Sequence, residues 1–215
     1  MNAMGRAAKV RVERRLMTAR HGARLLDRKQ RILAEELERL QLRADLTRAE
    51  WQRLAGEAAL WLRRSAALDG SGQIAAAAPL ESAGVQLRWA ITMGVPYPED
   101  AEWRHPAAHP MGGSSALSYT RVLHRSALEA GVRLAAVQRA EMLLTTELAV
   151  TRTRQRAVEN RWIPELENEL LAIRRRLEAQ ELEEALRRRW AADRSVPNKV
   201  RTVRDSGAGT VPWWK

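Results

Sequence analysis

Two arginine triplets, Arg174, Arg175, Arg176 and Arg187, Arg188, Arg189, the second followed by Trp190, are the residues best equipped for recognition chemistry in this chain. Guanidinium forks bind carboxylates and phosphates through two parallel hydrogen bonds, and a neighbouring indole adds an apolar anchor. These seven residues form the candidate partner-binding set. A nucleic-acid surface is one reading of them. Against it, the arginines alternate with glutamates along a helix, as in "ELEEALRRR", where pairs four residues apart make a solvated face the default. His105 and His109 have the spacing of two zinc ligands on one helical face, but Pro106 and Pro110 forbid that helix and no third ligand is near. A loop with two solvated histidines is expected there. His21 and His124 stand alone and read as helix-surface residues. No phosphate loop, GxGxxG fingerprint or nucleophile elbow occurs. The chain has no cysteine, which excludes disulfides, thiolate metal sites and cysteine nucleophiles. The expectation is a protein without catalytic, cofactor-binding or metal residues, and so not an enzyme.

Composition describes what must position these arginines. Of 215 residues 29% are charged and only 5% aromatic, with no Phe, so side chains able to fill a globular core are scarce. Leu, Ala, Arg and Glu dominate, as they do in long helices, and an elongated single domain is expected. From Val12 in alternating steps of four and three the chain reads Leu16, Ala19, Ala23, Leu26, Gln30, Leu33, Leu37, Leu40, Ala44, Thr47, Trp51, Leu54, Ala58, Trp61, in which only Gln30 and Thr47 are polar. A heptad held this long, with charges between, argues for a coiled-coil helix over residues 8–68.

"DGSGQ" at 69–73 is a stop signal and opens a Gly/Pro-rich insert over 69–115. Within it Val85, Leu87, Trp89, Ile91 and Met93 alternate with Gln86, Arg88, Ala90 and Thr92, which predicts a half-buried strand over 85–93. "GVPYP" is expected to turn the chain toward a second strand. Ser114 or Ser115 can cap a second coiled-coil helix over 116–194, before Pro197 forbids continuation. Its seam reads Leu134, Val137, Glu141, Leu144, Leu148, Thr151, Gln155, Val158, Trp162, Leu166, Leu170, Ile173, Leu177. The steps of four from Val158 to Leu170 are a stutter that unwinds a left-handed supercoil, and Pro164 predicts a kink inside it. The tail 195–215 is expected to be mobile, with Trp213 and Trp214 as an alternative docking plug.

The fold class that follows is all-α: a long antiparallel two-helix coiled-coil hairpin with a small β-hairpin-like insert at the middle of the chain. Facing residues then sum to about 185, which sets Gln30 against Gln155 and Gly22 against Ile163. The two glutamines either satisfy each other and penalise slipped registers or reach solvent at the seam edge. Ala19, Gly22 and Ala23 are expected to allow close approach of the helices. The same register leaves Glu178 to Asp193 without a partner in the chain. Ten basic and two acidic residues between Arg6 and Arg31 place +8 of the net +11 at that same end. No stretch approaches the roughly 18 consecutive apolar residues of a membrane span, and no apolar run follows the N-terminal arginines, so a cytoplasmic chain is expected.

Three segments in order resemble the D-subunit family of V-type (A/V-type) ATPases and ATP synthases. The first helix carries Arg15-Leu16, Ala19-Arg20, Gly22, Leu25-Leu26, Lys29 and Leu33; "ITMGVPYP" is similar to an apolar-Met-Gly-Val-x-x-Pro segment, with Pro96 a residue early; and "TRTRQRAVENRWIPELENEL" matches at Arg156, Ala157, Glu159, Ile163, Pro164 and Leu166. The resemblance covers about residues 5–190. It implies a central rotor stalk that carries torque between the catalytic hexamer of A and B subunits and the membrane ion-translocating ring. The F subunit would bind the coiled coil and a socket subunit would seat the far end. It implies no cofactor, no direct nucleic acid, no membrane insertion, and a peripheral place on a membrane-bound complex. The alternatives are the coiled-coil stalk of a flagellar or type III secretion ATPase and a basic coiled-coil nucleic-acid-binding protein.

Overall fold

A computed structural model of the chain describes residues 2–79, 81, 83–104 and 112–195, of which 2–4 and 195 are described by their backbone. The loop histidines His105 and His109, and the tail beyond residue 195 with Trp213 and Trp214, lie outside the described residues. The elements are α1 (Asn2–Ala76), β1 (Gly84–Thr92), β2 (Val95–Arg104), α2 (Ser115–Ala157), a π-helical turn (Val158–Trp162) and α3 (Ile163–Ser195). Two long helical stretches thus flank a two-stranded antiparallel hairpin, the all-α class with a β insert that the heptads predict. The chain divides into two compact units, one of residues 1–20 with 160–215 and one of 21–159.

In the larger unit the seam is buried where the heptad places it. Leu33, Leu40 and Ala44 of α1 close against Val137, Ala140, Leu144 and Leu148 of α2, and Ala58 closes against Leu123 and Ala127. Gln30 Nε2 donates to Gln155 Oε1, and the buried hydroxyls of Ser65 and Thr120 lie 2.7 Å apart. Both pairs add to 185, so α2 runs antiparallel to α1 in one unbroken register, and the two glutamines satisfy each other. Thr47, the other polar position of the first seam, satisfies its hydroxyl within its own helix by donating to Arg43 O at 2.9 Å. Lys29 Nζ reaches Glu147 Oε1 at 2.6 Å, with both side chains mostly covered.

In the smaller unit Val12 and Leu16 pack on Leu166 and Leu170. Ion pairs flank this core between Arg6 and Glu181 at 3.4 Å, Glu13 and Arg174 at 3.2 Å, and Arg20 and Glu167 at 2.7 Å. These pairs all add to 187, so the register is constant here too. Exposed pairs of this kind contribute about 0–1 kcal/mol each; their value is alignment.

Several expectations are corrected. α1 begins at Asn2, six residues earlier than the heptads suggested, so Arg6 pairs with Glu181 and the partnerless stretch starts beyond Glu181, not at Glu178. Gly70, at φ +76°, interrupts α1 where "DGSGQ" predicts a stop, but helix resumes to Ala76 because Gln73, Ile74 and the alanines after them are competent helix formers. The chain turns at Met93-Gly94, both at positive φ, the two-residue loop that suits strand twist, and "VPYP" lies inside β2. Gly22 faces open space, so it marks no close approach of helices. Ser114 is the cap: its hydroxyl accepts from Leu117 N, and Asp69 in turn accepts from Ser114 N at 2.8 Å, closing the base of the insert.

The expected kink is a π turn. Pro164 has no N–H for the ladder and its ring crowds the preceding turn's carbonyl; one extra residue wound into Val158–Trp162 relieves this just ahead of the proline. The extra residue also advances the seam. Trp162, expected inside, is 61% exposed, and Ile163 packs on the core in its place.

Leu144, fully buried, and Met142, half exposed, lie two residues apart on α2. Leu144→Ala is expected to cost about 2–5 kcal/mol in chemical denaturation and Met142→Ala about 0.5 kcal/mol or less; equal losses would contradict the seam.

Candidate functional site

The predicted arginines all lie on α3, but they do not form one site. Arg174 and Arg187 stand 13 residues apart in the sequence, about 20 Å along a helix at 1.5 Å per residue. Arg174 is engaged with Glu13, whereas Arg175 and Arg176 are exposed and make no ion pair among the described residues. In the second triplet Arg187 pairs with Glu183 at 3.4 Å and Arg188 with Glu184 at 3.3 Å, each one turn back along the same helix. Arg189 is exposed and unpaired among the described residues. Trp190 is 66% exposed and shares a shallow open cleft with Arg187 and Arg194. Leu182, Leu186 and Trp190 recur every four residues and all remain exposed, which leaves an apolar stripe rimmed by arginine on the end of α3. That surface suits an apolar partner edged with carboxylates.

A second polar cluster, invisible to motif reading, fastens the hairpin to α1. Tyr97 of β2 is buried and its hydroxyl donates to Glu36 Oε1 at 2.6 Å, while Arg39 Nε donates to Glu36 Oε2 at 2.9 Å. The hydrogen bond from Arg39 outweighs partial burial and holds the Glu36 carboxyl below the usual carboxylate range, with the Tyr97 hydroxyl adding to the effect. Burial first, then the bond to Glu36, pushes the Tyr97 phenol up. Seven residues further along α1 from Glu36, Arg43 donates to the carbonyl of Glu99 at 2.9 Å and lies 3.6 Å from the Asp100 carboxylate. The only sequence signal was Tyr97 itself, one of two tyrosines in the chain, set between Pro96 and Pro98.

The hairpin is half-buried by way of β2. Tyr97, Pro98 and Ala101 are enclosed, and β2 lies against α2. On β1 the apolar row predicted to face inward, Val85, Leu87, Trp89 and Ile91, is exposed instead. A bulge between Arg88 and Trp89 shifts the register, and Ala90 and Val95 supply the small contacts to the core. Of the isolated histidines, His21 is exposed; His124 is half-buried with Nδ1 at 3.0 Å from Thr120 O. No cluster able to hold a metal occurs among the described residues.

The model of the ATP synthase D-subunit family matches residues 9–193, a span that takes in both long helices and the hairpin. The chain belongs to the ATP synthase D-subunit family. As a D subunit it is a central-stalk, non-catalytic component of a V/A-type ATPase. This selects the rotary stalk over the flagellar or type III stalk and the nucleic-acid reading. No curated protein matches the chain. The family match spans both helices, the hairpin and the α3 arginines, and stops before the tail. No described helix of this D subunit is long and apolar enough to cross a membrane.

Removing the hydroxyl with Tyr97→Phe is expected to cost about 1.5–3 kcal/mol, since the lost bond goes to a charged acceptor. A carboxylate whose folded pKa is depressed stabilises above its unfolded value and loses that contribution as pH falls through the folded one. The stability gap between the native chain and Glu36→Gln should therefore be present at about pH 7 and close toward about pH 2. Thermal melts across that range check it; a gap that widens with acid would contradict the arrangement.

Proposed function

We propose that the chain is the rotor shaft of its complex and passes torque between the A/B catalytic hexamer and the socket subunit above the membrane ring. The F subunit rides on the coiled coil, and the whole is peripheral on the cytoplasmic side of a membrane-bound complex. The observation that carries the reading is the constant antiparallel register within each unit. Apolar seam, matched polar pairs and flanking ion pairs all resist one helix sliding past the other. Torque transfer asks for this resistance and needs no chemistry on the chain. The membership in the D-subunit family supplies the setting.

The end of α3, with Arg175, Arg176, Arg189 and the Leu182, Leu186 and Trp190 stripe, is the part proposed to enter the hexamer. Arg187 and Arg188 border this stripe, each held by a glutamate one turn back, whereas Arg174 is engaged by Glu13 of α1. A basic, apolar-striped helix end suits a ring lined by carboxylates and apolar side chains.

Deleting residues 178–215 tests this. The truncated chain is expected to remain helical by circular dichroism and to retain the F subunit. In reconstituted vesicles it should hydrolyse ATP with ion pumping reduced roughly tenfold or more, because a shaft end without its grip slips. Normal ATP-driven pumping by the truncated complex would contradict the assignment.

A further inference from the structure

The apolar stripe at the end of α3 is not covered by the helix that α3 packs on. Gly5 of α1 lies so close to Leu177 that an added Cβ would meet its Cδ2 at 2.8 Å, so Leu177 marks the side of α3 turned toward α1. At about 100° per residue, Leu182, Leu186 and Trp190 stand roughly 140–180° around the helix from Leu177. They point away from α1, and all three are exposed. Large apolar side chains in a row on a free helix face mark an interaction surface.

Residue chemistry narrows the occupant. Arg187, Trp190, Ala191 and Arg194 line a shallow cleft that combines an indole with two guanidinium groups, a setting that favours a second aromatic ring, stacked on the first and within reach of the cations. Glu178 stands four residues before Leu182 and Asp193 three residues after Trp190; both are exposed and make no ion pair among the described residues. The stripe therefore asks for aromatic residues accompanied by cations. Residues 196–215 of the same chain carry both in sequence: the pair Trp213 and Trp214, with Lys199, Arg201, Arg204 and Lys215 against one acid, Asp205. Reach is not limiting. Leu182 is 13 residues from Ser195, about 20 Å along the helix, whereas the 18 residues from Ser195 to Trp213 can span up to about 60 Å. A tether of that length raises the local concentration of the tryptophans to about the millimolar range, so a weak contact suffices.

We propose that the segment from Val211 to Trp214 doubles back onto α3, and that its two indoles cover Leu182, Leu186 and Trp190 in the free subunit. The stripe is then a surface held in reserve for assembly: the tail and the catalytic hexamer compete for it, and the tail is displaced as α3 enters. The contact is argued from α3 and the sequence alone, whereas its displacement rests on the reading of this end of α3 as the part that enters the hexamer.

The test places a benzophenone amino acid at Trp213 of the full chain, isolated and dilute. Irradiation is expected to give an adduct within the monomer, mapped by peptide mass spectrometry to residues 182–190, at a yield independent of protein concentration. Leu186→Glu, at an exposed position, should lower that yield about tenfold with helicity unchanged, the effect of losing one covered apolar contact. An adduct elsewhere in the chain, an adduct only on a second copy, no adduct, or a yield unaffected by Leu186→Glu would overturn the proposal. In the assembled complex the adduct on 182–190 should disappear. An adduct that forms in the isolated chain and persists in the complex leaves the tail contact standing and defeats the entry of this stripe into the hexamer instead.

Discussion

The structure depends on one constraint: within each unit, α1 and its returning partner are held antiparallel at a fixed offset. Apolar heptads alone would not fix that offset, because a leucine seam shifted by seven residues still buries leucine. Polar positions break the degeneracy. Gln30 meets Gln155 and Ser65 meets Thr120 at the same offset, 35 residues of α1 apart. A slip would leave four buried or half-buried polar groups facing apolar neighbours, at about 1–3 kcal/mol for each one unsatisfied. The ion pairs of the smaller unit repeat the logic at the surface with weaker terms.

Once the offset is fixed, the local irregularities acquire their places. The π turn ahead of Pro164 accommodates a residue that would otherwise disrupt the helix, and it does so by displacing Trp162 outward. Asp69 and Ser114 close the base of the insert. From there the hairpin is steered onto the helices by Tyr97, Glu36 and Arg43, side chains distant in sequence that only a settled register brings together. A protein whose family role is to sit at the centre of a rotary machine has no reacting groups to arrange. Its sites are surfaces, and their geometry is inherited from the pairing of two helices.

Periodicity made the helices and the Gln30 offset legible in sequence, and cap chemistry narrowed the start of the second helix to Ser114 or Ser115, because each depends on residues near in the chain or on a repeat long enough to count. Where single residues decide, the reading failed. Met93 and Gly94 form the turn in place of the prolines that follow, since positive φ at two successive positions matches strand twist better. The apolar row of β1 looked like a buried face, yet the hairpin meets the helices through Tyr97, Pro98 and Ala101 of β2, a choice of face that the alternation of β1 alone does not encode. The arginine triplets were easy to find and hard to interpret. The pairs of Arg187 with Glu183 and Arg188 with Glu184 follow the four-residue spacing read in "ELEEALRRR", whereas the engagement of Arg174 by Glu13, 161 residues away, left no local signal.

The offset itself is open to direct measurement by cysteine pairing in the otherwise cysteine-free chain. Gln30→Cys combined with Gln155→Cys should cross-link rapidly and nearly completely under mild oxidant, while Gln30→Cys combined with Thr151→Cys or Glu159→Cys, one turn to either side, should lag well behind. Faster cross-linking at either neighbouring position than at 155 would contradict the register on which the account stands.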